Sequence, residues 1–121
     1  MGSGEGQRMC GAFVGWLRTH GWKILEESCT QDCVDIEAWH SDGARLLVEI
    51  QSDTTDPGPD LDTAYGRLLR RMDGVPSSRY AVVVPEDALD AALRVLPQVR
   101  EALALDVYVV GPGGEVRRAD H

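Results

Sequence analysis

Apolar positions recur along this chain with two different periods. Between residues 9 and 19, Met9, Phe13, Val14, Trp16 and Leu17 fall at offsets of 4, 5, 7 and 8 from the first, which gathers them on one side of a helix. The His20-Gly21 step ends that helix, glycine being the usual residue just past a helix C-terminus. Residues 22–25 are a short apolar segment and predict a first strand; the polar run 26–32 predicts a turn. The period then changes to two. Val34, Ile36 and Ala38 alternate with Cys33, Asp35, Glu37 and Trp39. After the turn signal Ser41-Asp42-Gly43, Leu46, Val48 and Ile50 alternate with Leu47, Glu49 and Gln51. Two alternating segments so joined predict a β-hairpin over residues 33–39 and 45–51.

Residues 52–60 are rich in Asp, Pro and Gly and predict a loop. Leu61, Tyr65, Leu68, Leu69 and Met72 then mark a helical stripe, with Arg67, Arg70 and Arg71 mostly off it, toward solvent or a ligand. The continuously apolar, β-branched run 80–84 is the pattern of a strand covered on both faces, and Pro85 closes it. Residues 86–104 read as helix with a break near Pro97, and residues 106–110 as a further buried strand. Glycines 111, 113 and 114 turn the chain into a short last segment, 115–117. The resulting fold class is α/β: a mixed central sheet flanked by helices, with an αβββαβ core followed by a C-terminal helix and strand. Residues 1–7 are expected as a flexible N-terminus and residues 8–121 as a single domain.

Composition narrows the function. The chain has 121 residues, 43% hydrophobic and 26% charged, within the globular range, so disorder and fibrous repeats are excluded. Twelve basic against 20 acidic residues give a net charge of −8, which excludes nucleic-acid binding by bulk electrostatics and requires any phosphate contact to be local. No apolar run approaches the ~20 residues of a membrane span, and the N-terminus lacks a signal-peptide pattern, so a cytoplasmic protein is expected. Three cysteines imply reduced thiols, and the C-x3-C spacing of Cys29 and Cys33 is not that of a zinc knuckle. The glycine-rich stretches precede no Gly-Lys-Ser/Thr, which argues against a triphosphate-binding loop. His20, His40 and His121 are scattered, and none supports an acyl-transfer triad.

If the hairpin pairs, Asp35, Glu49 and Gln51 project on one side of the sheet near one end. Two carboxylates so placed repel each other, and a divalent cation relieves the repulsion while holding water for attack. An acidic residue in one hairpin strand, Asp35, then Glu49-Ile50-Gln51 in the next, set in the αβββαβ order of residues 9–84, resembles the PD-(D/E)xK nuclease superfamily, the restriction-endonuclease-like fold. The resemblance implies Mg²⁺ or Mn²⁺ bound by Asp35 and Glu49, and hydrolysis of a nucleic-acid phosphodiester, DNA ahead of RNA.

The chain departs from that family at the lysine of the motif, where it carries Gln51. A neutral amide holds water by hydrogen bonding but does not stabilise hydroxide by charge. Lys23, the only lysine in the chain, is a candidate substitute at the first strand, and Glu37 a candidate supporting ligand. Arg67 stands where family members place a polar residue facing the site, and Arg67, Arg70 and Arg71 are the candidate phosphate contacts. With so little surface left for base readout, a homodimer or a protein partner is expected. The alternative is a catalytically inactive member acting as an interaction or assembly module, in which the same carboxylates and arginines are solvated surface groups.

Overall fold

The protein is described by a computed structural model over residues 3–29, 34–52 and 55–119. Helix α1 (Ser3–Thr19) buries Met9, Phe13, Val14 and Leu17, the stripe expected from their spacing. It starts at Ser3, so much of the stretch 1–7 that composition marks as a flexible N-terminus is helix. Glu5 and Arg8, three apart, form an ion pair at 2.9 Å, and Arg8 Nη1 also donates to the Gly111 carbonyl at 3.1 Å, tying the first turns to the far end of the chain.

Strand β1 (Trp22–Cys29) runs through four residues of the polar stretch that reads as a turn. Its ladder with β2 (Val34–His40) supplies the backbone hydrogen bonds that overrule composition, and a bulge between Ile24 and Glu26 hides the strand's period. Trp22 and Ile24 pack against the α1 core, whereas Leu25, at the irregularity, is exposed. The remainder of that expected turn, with Cys33, lies outside the described residues. Gly21 turns α1 into β1 at a φ of +88°, where a Cβ would stand 2.9 Å from the His40 ring, so the left-handed step needs glycine.

Strand β3 (Arg45–Ile50) pairs antiparallel with β2, with Ile36 opposite Val48 and Asp35 opposite Glu49. Strands β4 (Ser78–Val84) and β5 (Leu105–Val110) continue parallel to β3, and β6 (Val116–Ala119) pairs antiparallel with β5. The sheet runs β1-β2-β3-β4-β5-β6. It is the mixed sheet expected, extended by a sixth strand where a short segment was read. Gly111 N–H donates to the Glu115 carbonyl at 2.8 Å and closes that last hairpin.

Helix α2 (Pro57–Arg70) begins inside the segment expected as loop. Proline is tolerated in a first turn, where its missing N–H has no helical partner, and the Asp60 carboxylate accepts from Asp56 N–H at 3.0 Å. Its buried stripe is Leu61, Ala64 and Leu68; Leu69 is 49% exposed, off the stripe. Residues 86–104 form three short pieces instead of one interrupted helix: a 3₁₀ turn (Glu86–Ala88), α3 (Leu89–Ala92) and α4 (Pro97–Ala102).

Two cores result. Helix α1 covers one face over Ile36, Ala38, Val48, Ile50, Ala81 and Val83. Residues of α2, the 3₁₀ turn and α3 cover the other over Leu47, Tyr80, Val82, Val84 and Val107. No helix among the described residues is long and apolar enough to cross a membrane.

Phe13 is fully buried and packs edge-on against Tyr108 at 5.1 Å. Phe13→Ala is expected to lower unfolding free energy by about 3–5 kcal/mol, and Leu69→Ala by about 0.5 kcal/mol or less. Urea unfolding of both variants checks this, and equal losses would place Leu69 in the core after all.

Candidate functional site

The β2–β3 register decides which side chains meet. Ile36, Ala38 and Val48 point into the α1 core, so Asp35, Glu37, Leu47 and Glu49 must occupy the opposite, α2-facing side. Asp35 and Glu49 are direct cross-strand partners, a relation that brings Cβ atoms to about 4.5–5.5 Å. Their environments differ. The Asp35 side chain is partly open, whereas Glu49 is 1% exposed because β3 is covered on both faces.

Burial pushes the Glu49 carboxyl up to about 8, helped by a hydrogen bond and the charge of Asp35; the charges of Arg71 and Arg67 pull the other way and lose. Burial and the neighbouring carboxylate thus favour the protonated form of Glu49 well above the usual carboxylate range.

Arg71 follows directly on α2. Its Nη1 lies 3.4 Å from Glu49 Oε2 and 3.6 Å from Asp35 Oδ1, longer than the ~2.7–2.9 Å of a tight charge-assisted bond. The other Glu49 oxygen, Oε1, is buried with no hydrogen-bond partner. Beside the pair opens a cavity of about 250 Å³ lined by Glu26, Asp35, Glu37 and Arg71.

The remaining candidates are dispersed around this centre. Gln51 is buried on the same face, two residues past Glu49, and its backbone N–H donates to the Val83 carbonyl at 2.9 Å, prolonging the ladder beyond β3. Glu37 lines the cavity but its carboxylate accepts from Arg45 Nε at 2.7 Å, and Arg45 also pairs with Asp73 at 2.8 Å. Arg67 is exposed and reaches Glu49 only through its charge. Arg70 is exposed. Lys23 is not brought to the site: it stands opposite Trp39, four residues along β2 from Asp35, which is about 13 Å of strand.

Two members of the cavity wall are not singled out by the sequence pattern. Glu26 reads as a turn charge because the bulge breaks the alternation that would have placed it on the face of Asp35 and Glu37, opposite which it stands. Arg71 is not separable from Arg67 and Arg70 by composition. The available signal is its position three residues after the buried Leu68 and seven after the buried Ala64, on the helix face turned to the sheet.

The donor set suits a hard, water-rich cation. Mg²⁺ is commonly held by one or two carboxylates, with waters completing its shell, and Glu49 Oε1 is a buried acceptor with nothing to accept. Among the described residues no group of three or more His, Cys, Asp or Glu side chains is placed to hold a metal ion. Cys10 is a buried thiol that donates to Glu27 Oε2 at 3.1 Å.

No protein-family model and no curated protein matches the sequence. Among solved structures the chain is similar to an fdxN element excision controlling factor protein from Anabaena variabilis. The TM-score is 0.63 at 15% identity, over 94% of this chain and 99% of that one. It is also similar to an XisH family protein from Nostoc punctiforme PCC 73102, with a TM-score of 0.52 at 15% identity over 93% and 99% of the two chains. The apo form of EndoMS aligns with a TM-score of 0.46 at 16% identity, over 84% of this chain and 46% of that one, too loosely to carry an argument. At such identities the likeness concerns fold alone: a six-stranded mixed sheet flanked by helices, consistent with a restriction-endonuclease-like fold.

The raised carboxyl of Glu49 has a defined pH signature. Between its ordinary value of 4.5 and about 8, the folded state keeps a proton that the unfolded chain has released, so this group's contribution to stability falls as pH rises through that window. Glu49→Gln removes the titration. Urea unfolding at pH 5, 6.5 and 8 is expected to show a decline for the wild type that is flatter in the variant; parallel declines would assign the effect to other groups.

Proposed function

We propose that Asp35 and Glu49 form a Mg²⁺- or Mn²⁺-binding site at which nucleic-acid phosphodiesters are hydrolysed, in the manner of the PD-(D/E)xK nucleases with Gln51 at the lysine position. The observation that carries this reading is the cross-strand pairing of Asp35 with Glu49, one oxygen of which is buried and without a partner. A bound divalent cation would neutralise the carboxylates and lower the pKa of an attacking water.

The chain's own residues set the conditions. Glu49 must lose its proton before it ligates, so cation affinity rises with pH toward about 8. Arg71, held at 3.4 and 3.6 Å, is a loosely bound partner of the carboxylates, and on leaving them its guanidinium is free to pair with a phosphate oxygen. Gln51 offers an amide that can orient a water without charging it. Arg67, exposed one helical turn before Arg71, supplies a further phosphate contact, and Arg70 stands beside them on the same helix. With a net charge of −8, these arginines act locally, and a second copy or a protein partner supplies the rest of the nucleic-acid surface. DNA is the substrate we favour over RNA, and the fold neighbour described as an excision controlling factor accords with a nucleic-acid partner.

A second reading rests on a specific pair of observations. Gln51 replaces the motif's lysine, and Arg71 already lies against both carboxylates, the arrangement of a scaffold that has exchanged a metal for an internal cation. In that case the domain is an inactive assembly module.

Melting temperature under Mn²⁺ titration separates the two, since a ligand specific to the folded state raises it saturably. A rise abolished by Asp35→Ala and by Glu49→Gln is expected, together with plasmid nicking reduced at least about 100-fold in Glu49→Gln. No rise at millimolar Mn²⁺ would leave the inactive module standing. Equal nicking by wild type and variant would assign the cutting to a contaminant.

A further inference from the structure

Arg100, on α4, is 6% exposed. Its Nε donates to the Val95 carbonyl at 2.9 Å, but its buried Nη2 has no hydrogen-bond partner, and no carboxylate among the described residues forms an ion pair with it. Glu49 answers burial by keeping a proton; a guanidinium has no such escape, because it stays charged at every pH at which the protein is folded. A buried, unmatched and permanent positive charge is unfavourable unless something of opposite charge completes it.

Arg100 lines a cleft of about 450 Å³ whose charged walls are Arg79, Arg100, Glu101, Asp106 and Arg118. Among the described residues that line it, three are arginines and two are carboxylates, and Asp106 already lies 3.6 Å from Arg118 Nε. The described lining is therefore net positive on a chain of net charge −8. It is formed where β4 and β5 begin and β6 ends, with Arg79 second in β4, Asp106 second in β5 and Ala119 last in β6. The Asp35–Glu49 pair lies farther along the sheet: Glu49 is level with Val82 of β4, three residues beyond Arg79, and Asp35 is one strand more distant. The two cavities share no residue.

We propose that this cleft is an anion site for a phosphate group, with the Arg100 side chain on its wall beside Arg79 and Arg118, whose guanidinium groups supply the outer donors. A tetrahedral dianion accepts from several guanidinium groups at once and supplies the charge that Arg100 lacks. The volume admits a phosphate together with the group that bears it. Free phosphate and the terminal phosphate of a nucleic-acid strand share this chemistry.

The test uses the full chain in EDTA, so that the carboxylate pair plays no part. Sodium phosphate is titrated against sodium chloride at matched ionic strength, following melting temperature. A single-stranded oligonucleotide with and without a 5′-phosphate forms the second arm. A saturable rise with phosphate is expected, on the order of 5–10 °C at a hundredfold excess over Kd. Arg100→Met should abolish the rise while melting at or above the unliganded wild type, because a stranded charge has been replaced by an apolar chain of similar length. Arg118→Ala, at an exposed position, tests the site even if Arg100→Met does not fold; it should weaken phosphate binding at least about fivefold with an unchanged unliganded melting temperature. A response only to the 5′-phosphorylated strand would identify the strand end as the source, and a response to inorganic phosphate the free ion. A rise no larger than that with chloride together with no response specific to the 5′-phosphorylated strand, or a response kept in full by Arg118→Ala and by Arg100→Met where it folds, overturns the proposal.

Discussion

The pairing of β2 with β3 in one register is the constraint from which the rest of this structure follows. Ile36 opposite Val48 drives one side of the hairpin into the core under α1. Because a strand alternates strictly, that burial forces Asp35 and Glu49 together on the other side. A slip of one residue would move both carboxylates into the α1 core and both aliphatic residues out of it, at the combined expense of lost apolar burial and two stranded charges. The hydrophobic side thus enforces a polar juxtaposition that would not form by itself, since like charges repel.

What the sheet does to Glu49 follows from its position within β3. Being third of six strands, with α1 on one face and α2 on the other, β3 offers its side chains almost no water. Desolvation outweighs the nearby arginines, and the carboxyl holds a proton near neutrality. Protonated, Glu49 leans on Arg71; ionised, it places a further negative charge where there is almost no water. Arg71 is long in both contacts, which fits a residue able to yield its place.

Arg100 poses the same electrostatic problem with the sign reversed, at the other end of the strands. The two groups lie on opposite sides of a simple asymmetry: carboxylic acids can discard their charge when buried, whereas guanidinium groups cannot. One unsatisfied atom at each place, of opposite charge preference, divides the molecule into a candidate cation end and a candidate anion end.

Much of this was legible from residue pattern. Alternation in residues 33–39 and 45–51 was sufficient to put Asp35, Glu49 and Gln51 on one face, because strand geometry allows no other arrangement of those side chains once Ile36 and Val48 are buried. The β-branched run 80–84 likewise announced the strand covered on both sides. Where local composition and long-range pairing compete, the pattern misleads: β1 continues through polar residues because β2 supplies its hydrogen bonds, the bulge after Ile24 conceals Glu26, and α2 starts on a proline that reads as loop. Choosing Arg71 from three nearby arginines, parting Lys23 from the carboxylates, and setting Arg100 in a cleft with Arg79 and Arg118 all depend on contacts between residues distant in sequence. Those contacts are set by how helices dock on a twisted sheet, and only the folded chain contains that information.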